Sequence, residues 1–205
     1  MDSTKPDVIT GCESKLDASM SSAEGFPPNF IVYRKDRNCH GGVFIAVRDN
    51  IQATHRNDLD SNCEAVWVEI PAAGDKPLII GSCYFPPDAH DASSSESINQ
   101  LSNSMKKIKH LQKKHILVCG DFNQPGINWK SHAVSIKSIA GAKLIQVAEE
   151  NDLHQCVKTP MRCTECCQNI LDLLFTNQPL SIDNVLVIQG FSDHDAITAS
   201  IRMKA

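Results

Sequence analysis

Short runs of apolar and β-branched residues, each closed off by turn residues, recur along almost the whole chain. They read "DVIT", "FIVYR", "GGVFIAV", "EAVWVEI", "PLIIGSCYF", "HILVCG", "ILDLLFT", "NVLVIQG" and "AITASI". Runs of this length, rich in Val, Ile, Phe and Tyr, are strands. A chain made of them must stack its sheets or cover them with helices. In "EAVWVEI", Ala65, Trp67 and Glu69 alternate with Val66, Val68 and Ile70, so one face is expected to point inward. "HILVCG" is apolar on both sides and is expected at the centre of a sheet. Gly41 and Gly42 supply a turn between two of the runs.

Two segments break this pattern with helical periodicity. From Ser94 to His115, Ile98, Leu101, Met105, Ile108 and Leu111 recur at three- and four-residue spacing, with Lys106, Lys107, Lys109, Lys113 and Lys114 mainly elsewhere on the wheel. Lysines opposite an apolar stripe are accounted for as a solvated face, without a nucleic-acid ligand. The second helix is expected over about Ile136 to Asn151, carrying Ile139, Leu144, Val147 and Ala148, with Asn151 as its cap. "DASSSES", Asp91 to Ser97, reads as a loop ending in an N-cap. Strands with a few interspersed helices give an α+β chain whose sheets are covered by helices. With no repeat, low-complexity tract or linker, 205 residues are expected to form a single domain, 1–205.

Hydrophobic residues at 41% and charged residues at 21% are ordinary for a folded globular protein. The formal net charge of -4 argues against holding nucleic acid on a broad cationic surface. A polyanionic substrate would have to be met locally. The nine cysteines lie in apolar runs or singly, so most are expected to be reduced thiols of the core. Neither a secretory leader nor a membrane span is legible at "MDSTKPDVITG" or beyond, and an intracellular location, nuclear or cytoplasmic, is the expectation.

Within "HILVCGDFNQP" an apolar strand ends in Asp121, with Asn123 two positions later. Residues i and i+2 at a strand end project to the same side, so carboxylate and amide can converge outside the sheet. The plainer reading is a turn with capping residues. Other polar groups stand in similar places: Glu13 after "PDVITGC", Asp172 inside "ILDLLFT", and Asp193 with His194 in "FSDHDAITASI". A carboxylate among Ile170, Leu171, Leu173 and Leu174 is costly unless paired or hydrogen-bonded, whether to a backbone turn or to a dedicated partner. Asp193 and His194 are alternatively a turn aspartate and a surface histidine. Together these groups suit a hard cation, Mg2+ or Mn2+, which takes carboxylate oxygens and leaves positions to water and phosphate. Such an ion would supply the positive charge that the composition lacks.

The motifs "GDFN", "LDLLFTN" and "SDHDAI", in this order and after an early strand ending in Glu, resemble the endonuclease/exonuclease/phosphatase superfamily. "FPPNFIVYRKDRNCHGGVFIAVRDNI", "CYFPPDA", "GDFNQPGINW" and "NILDLLFTNQP" are similar to the apurinic/apyrimidinic-type endonuclease domain of non-LTR retrotransposons, over about Pro6 to Ile201. The resemblance implies a deoxyribonuclease I-like fold: two mainly antiparallel sheets packed as a sandwich, flanked by helices, with the site at one end. It implies divalent-metal hydrolysis of a phosphodiester in DNA. Carried over, Glu13 is the principal metal ligand and Asp193 assists metal binding or site geometry. Asp121 orients and deprotonates the attacking water, and Asn123 holds that water or the phosphate by hydrogen bonds. His194 donates to the phosphoryl oxygen, and Asp172 fixes its tautomer. Tyr84 matches a tyrosine that contacts the phosphate, or is a strand-end aromatic of the core.

Two departures from the family pattern stand out. The usual first strand with its Asn-containing motif has no counterpart before "KPDVITGCESKLD", and "ESKL" replaces the more usual "ETWL". A catalytically silent remnant, acting at most as a nucleic-acid-binding or interaction module, is therefore a rival reading, and a phosphatase of the same superfamily is another. Cys163, Cys166 and Cys167 in "RCTECCQN" offer one C-x-x-C pair, for which a zinc site would need partners that the sequence does not identify.

Overall fold

The computed structural model describes residues 5–37, 41–74, 76–87, 92–111, 114–159, 162–164, 167–190 and 194–203. In chain order, β1 (Val8–Cys12) and a single turn of helix, α1 (Ser22–Gly25), precede β2 (Phe30–Lys35) and β3 (Val43–Arg48). Then come β4 (Thr54–His55), β5 (Glu64–Ile70), β6 (Leu78–Tyr84), α2 (Ala92–His110) and β7 (His115–Asp121). A small hairpin, β8 (Ile127–Asn128) with β9 (Ala133–Val134), leads into α3 (Ile139–Glu150). The chain closes with β10 (His154–Gln155), the hairpin β11 (Arg162–Thr164) and β12 (Cys167–Asn169), β13 (Asp172–Thr176), and the hairpin β14 (Ile182–Ile188) and β15 (Ala196–Ile201). Every apolar run read as a strand forms one.

A six-stranded sheet in the order β10-β13-β7-β6-β5-β4 faces a three-stranded sheet in the order β1-β3-β2. Ladders are antiparallel except β6 with β7, whose parallel pairing needs the crossover that α2 supplies. Val43, Ile45 and Val47 of β3 pack between the sheets against Val66, Val68, Ile80, Leu117 and Leu174. The β14–β15 hairpin adds Val185, Val187, Ile197 and Ile201 to that layer. On the other face of the larger sheet, Ala65, Trp67, Ile79, Val118 and Phe175 pack with residues of α2 and α3 such as Met105 and Leu144. The result is the two-sheet sandwich with flanking helices expected from the motifs, and β7 is central as its composition requires.

The structure corrects several local expectations. β5 is buried on both faces, because Ala65 and Trp67 meet the helical layer while Val66, Val68 and Ile70 meet the other sheet. Its polar positions, Glu64 and Glu69, are the partly exposed ones, and Glu69 pairs with Arg56 and Lys114. The serines after Asp91 form the first turns of α2 instead of a loop before it. α2 ends at His110, short of His115, which opens β7. Ile98, Leu101, Met105 and Ile108 are buried as the periodicity predicts, but Leu111 lies beyond the helix and is exposed. Lys106, Lys107 and Lys109 are solvated, whereas Lys114 belongs to the approach to β7 and Lys113 lies outside the described residues. α3 begins at Ile139 with Ser138 as N-cap, and Asn151 caps its end by donating to the Val147 carbonyl at 2.8 Å.

Among the described residues, Cys63, Cys83 and Cys119 are buried free thiols, as the core reading requires. The side chains of Cys163 and Cys167, and all of Cys166, lie outside what is described. No helix among the described residues is long and apolar enough to cross a membrane.

Candidate active site

Register and pleat assemble one row of polar side chains. Tyr84 is level with Asp121 across the β6–β7 ladder, and Asp121 is level with Asp172 across β7–β13. One step further, Glu64 is level with Tyr84 across β5–β6. Successive residues of a strand point to opposite faces, so each of these shares a face with its neighbours two positions away. Val66, Leu117, Cys119 and Leu174 all point between the sheets. The row therefore occupies the end of the inter-sheet layer, where the hydrophobic filling stops.

The turn that follows β7 holds Asp121 from both sides. Phe85 N–H donates to the Asp121 carbonyl and Phe122 N–H to that of Leu171, each at 2.9 Å. Asn123, at φ 45°, donates its backbone N–H to Asp121 Oδ1 at 3.0 Å and its side-chain Nδ2 to Oδ2 at 2.8 Å. The same Nδ2 donates to the Phe85 carbonyl at 2.9 Å. The i and i+2 spacing thus yields a clamp on the carboxylate. Gly120, at φ 138°, makes the approach possible, since a Cβ there would sit 1.8 Å from the Cys83 carbonyl oxygen.

Asp121 is 5% exposed. Burial, and then the negative charge of Asp172 beside it, push its carboxyl up to about 6, against the opposing pull of Asn123 and His194. Asp172 has the dedicated partner that an acid in an apolar strand demands: His194 Nδ1 lies 2.8 Å from its Oδ2. Donor atoms of Asp121, Asp172 and His194 all fall within 4.8 Å of one another, a grouping able to hold a metal ion.

Glu13 comes from the other sheet. It follows β1 at φ 51°, uncommon for a residue with a side chain, and its Oε1 accepts from the Tyr84 hydroxyl at 2.6 Å. Burial, that hydrogen bond and the surrounding carboxylates raise the Tyr84 phenol well above its ordinary value, so it remains a proton donor. β1 itself is pinned over β6 and β7. Ser82 Oγ donates to the Gly11 carbonyl at 3.3 Å, Cys12 Sγ to the Cys83 carbonyl at 3.1 Å, and Cys119 Sγ to Thr10 Oγ1 at 3.2 Å.

Of the residues singled out in the sequence, Glu13, Tyr84, Asp121, Asn123, Asp172 and His194 come together at this end of the sandwich, and Asp193 lies outside the described residues. Sequence reading missed Glu64. Its only signal was a carboxylate at the head of a strand, which acquires meaning once β5 is in register with β6. A cleft lined by Trp129, Lys130, Lys158, Asn169 and Ile170 opens beside the turn after Asn123.

A family profile described as endonuclease-reverse transcriptase matches residues 78–198, more than half of the chain. The chain belongs to the endonuclease/exonuclease/phosphatase superfamily. Solved structures of similar fold include the endonuclease domain of TRAS1, a telomere-specific non-LTR retrotransposon. Its TM-score is 0.71 at 19% identity, covering 97% of this chain and 87% of that one. An AP endonuclease from Archaeoglobus fulgidus has a TM-score of 0.70 at 14% identity, covering 96% of this chain and 89% of the other. The 3′ phosphatase NExo from Neisseria, bound to a product DNA hairpin, has a TM-score of 0.65 at 13% identity, with coverage of 98% and 90%. At these identities the likeness is one of fold. No curated protein matches by sequence. Tyr84, Asp121, Asn123, Asp172 and His194 lie within the residues that the profile covers, and Glu13 and Glu64 outside them.

Proposed function

We propose that this protein is a divalent-metal-dependent phosphodiesterase that nicks DNA, an endonuclease of the kind borne by non-LTR retrotransposons. The observation that carries the reading is the level row of Tyr84, Asp121 and Asp172, closed by the Asp172–His194 hydrogen bond at the open end of the sandwich. The superfamily membership and the fold shared with the TRAS1 endonuclease domain support it.

The donor set fits Mg2+ or Mn2+. Glu13, Asp121 and Asp172 offer hard carboxylate oxygens, and Asp121, raised first by burial and then by the Asp172 charge, stands beside a second carboxylate. Glu13, with the adjacent row carboxylates, would hold the ion. When bound, a divalent ion neutralises phosphate charge and polarises a phosphoryl oxygen.

The remaining steps belong to the chain's own groups. Asp121, fixed by two hydrogen bonds from Asn123, takes the proton of the attacking water at a carboxylate oxygen. Because Asn123 Nδ2 is committed to Asp121 and Phe85, its role is to aim that base. Asp172 accepts from His194 Nδ1, and the doubly protonated ring would donate from Nε2 to a phosphoryl oxygen as the water's bond to phosphorus forms and the bond to the leaving oxygen breaks, that oxygen taking a proton from solvent. Lys130 and Lys158 in the neighbouring cleft would meet the flanking DNA backbone.

The test is plasmid nicking in Mg2+, with and without chelator, for the wild type and for Asp121→Ala and His194→Ala. Nicking that requires the metal and falls by about 10²–10⁴ in each variant is expected, the usual range for general acid–base groups. Well-folded protein with no metal-dependent nicking would identify a silent remnant. Turnover of soluble phosphomonoesters without nicking would identify a phosphatase.

A further inference from the structure

Glu64 belongs to the polar row by register, yet its carboxylate is turned to other work. Its side chain is 11% exposed, Oε1 is paired with Arg37, and Oε2 accepts from the Gly42 backbone N–H at 2.8 Å. Both oxygens are thus engaged away from Asp121. What they hold is the Gly41–Gly42 turn, at φ 107° and 87°, conformations that side chains other than glycine's rarely adopt. The fit is close: a Cβ on Gly41 would lie 2.4 Å from Glu64 Oε2, and one on Gly42 would lie 2.6 Å from Ser14 Oγ.

The carbonyls of that turn face the loop that carries Glu13. Ser14 N–H donates to the Gly42 carbonyl at 3.2 Å and Lys15 N–H to the Gly41 carbonyl at 3.0 Å. These bonds begin where the β1–β3 ladder ends, at Cys12 opposite Val43. They hold Glu13 and Lys15 at φ 51° and 54°, so the loop leaves the extended path and carries the Glu13 carboxylate to Tyr84. Residues at such φ persist only where the surroundings over-determine them. Here the determinant is the diglycine turn, and the turn is fixed by Glu64.

We infer that Glu64 is a positioning residue for Glu13: by gripping Gly42 it locks the Gly41–Gly42 turn, whose two carbonyls hold the Ser14–Lys15 backbone and so aim the Glu13 carboxylate into the site. The inference builds on the proposed nuclease reading for its consequence, but its geometry is independent of any metal. Glu64 does not touch substrate.

Amide hydrogen exchange of the metal-free protein tests it directly, with Glu64→Ala, Glu64→Asp and Glu64→Gln beside the wild type. Loss of the bond to Gly42 is expected to speed exchange at the Ser14 and Lys15 amides about ten-fold in the Ala and Asp variants, the equivalent of one charge-assisted hydrogen bond. Amides of Leu117, Val118 and Cys119 in central β7 should be unchanged. Gln keeps an acceptor for Gly42 and should restore slow exchange. In parallel, Mn2+ binding followed by electron paramagnetic resonance should weaken about ten-fold in Ala and Asp and recover in Gln. Slow exchange at Ser14 and Lys15 in both Ala and Asp, or acceleration spread evenly through β7, would overturn the inference. Because Asp keeps the charge and nearly the volume, it reports even if Ala fails to fold. Absence of nicking in the wild type would sink the nuclease reading while leaving the exchange result to decide the role of Glu64.

Discussion

At Asp121, burial and the nearby Asp172 charge lift the carboxyl from an ordinary 3.8 to about 6. In metal-free protein this means that, between about pH 4 and pH 6, the folded state keeps a proton that the unfolded chain gives up. Stability therefore falls as pH rises through that window and levels off above it. A displacement of this size corresponds to about 3 kcal/mol. Asp121→Asn removes the titration. In urea unfolding with EDTA, the wild type is expected to lose about 2–3 kcal/mol more than the variant between pH 4 and pH 7. Parallel profiles would show that Asp121 titrates as an ordinary aspartate. Gly120, its neighbour, has no such latitude: at φ 138° and with the Cys83 carbonyl in the space of a Cβ, Gly120→Ala should cost about 3 kcal/mol or more. Gly25→Ala, where the added Cβ would meet Leu16 no closer than 3.8 Å, is the control expected to leave the urea midpoint nearly unchanged.

Between elements, the site depends on two sheets meeting at one end, and the Tyr84–Glu13 bond is one of the contacts that join them there, beside Cys12–Cys83 and Gly42–Glu64. Tyr84→Phe retains the buried ring and deletes only the hydroxyl. Nicking and Mn2+ affinity should drop about ten-fold, with a loss of stability of no more than about 1 kcal/mol by urea unfolding. Unaltered Mn2+ affinity would mean that Glu13 needs no hydroxyl to hold it. The strands themselves were legible in the sequence, because alternation and apolar runs are local signals. So were Asp121, Asn123 and Asp172, since a carboxylate that ends or interrupts an apolar run conflicts with its surroundings. What local pattern could not show is register. Glu64 looks like any strand-opening glutamate until β5 is laid against β6, and the burial of β5 on both faces depends on helices lying far along the chain. The start of α2 was missed for a related reason: a run of serines has the composition of a loop, and the burial of Ile98 and Leu101 in the same core cluster as Trp67 and Phe122 favours continuing the helix through it.

For the molecule as a whole, charge sets how it can engage a polyanion. A formal net charge of -4 does not favour long-range attraction to DNA, and the carboxylate row adds local repulsion. Lys130 and Lys158 line the cleft beside the site, while Lys114, just before β7, is tied to Glu69. Few phosphates can then be neutralised by side chains. In EDTA, the affinity for a duplex oligonucleotide, followed by fluorescence anisotropy across a KCl series, should fall with a log–log slope no steeper than about -3, since each neutralised phosphate contributes about -0.9. Supplying Ca2+, whose oxygen ligands are the same in kind, should tighten binding by adding cationic charge at the carboxylates instead of across the surface. That gain should vanish in Asp121→Ala, because the variant keeps the lysines and loses part of the cation site. A slope of -6 or steeper in EDTA would instead require a broad cationic face to do the binding, and recognition would then be neither local nor ion-borne.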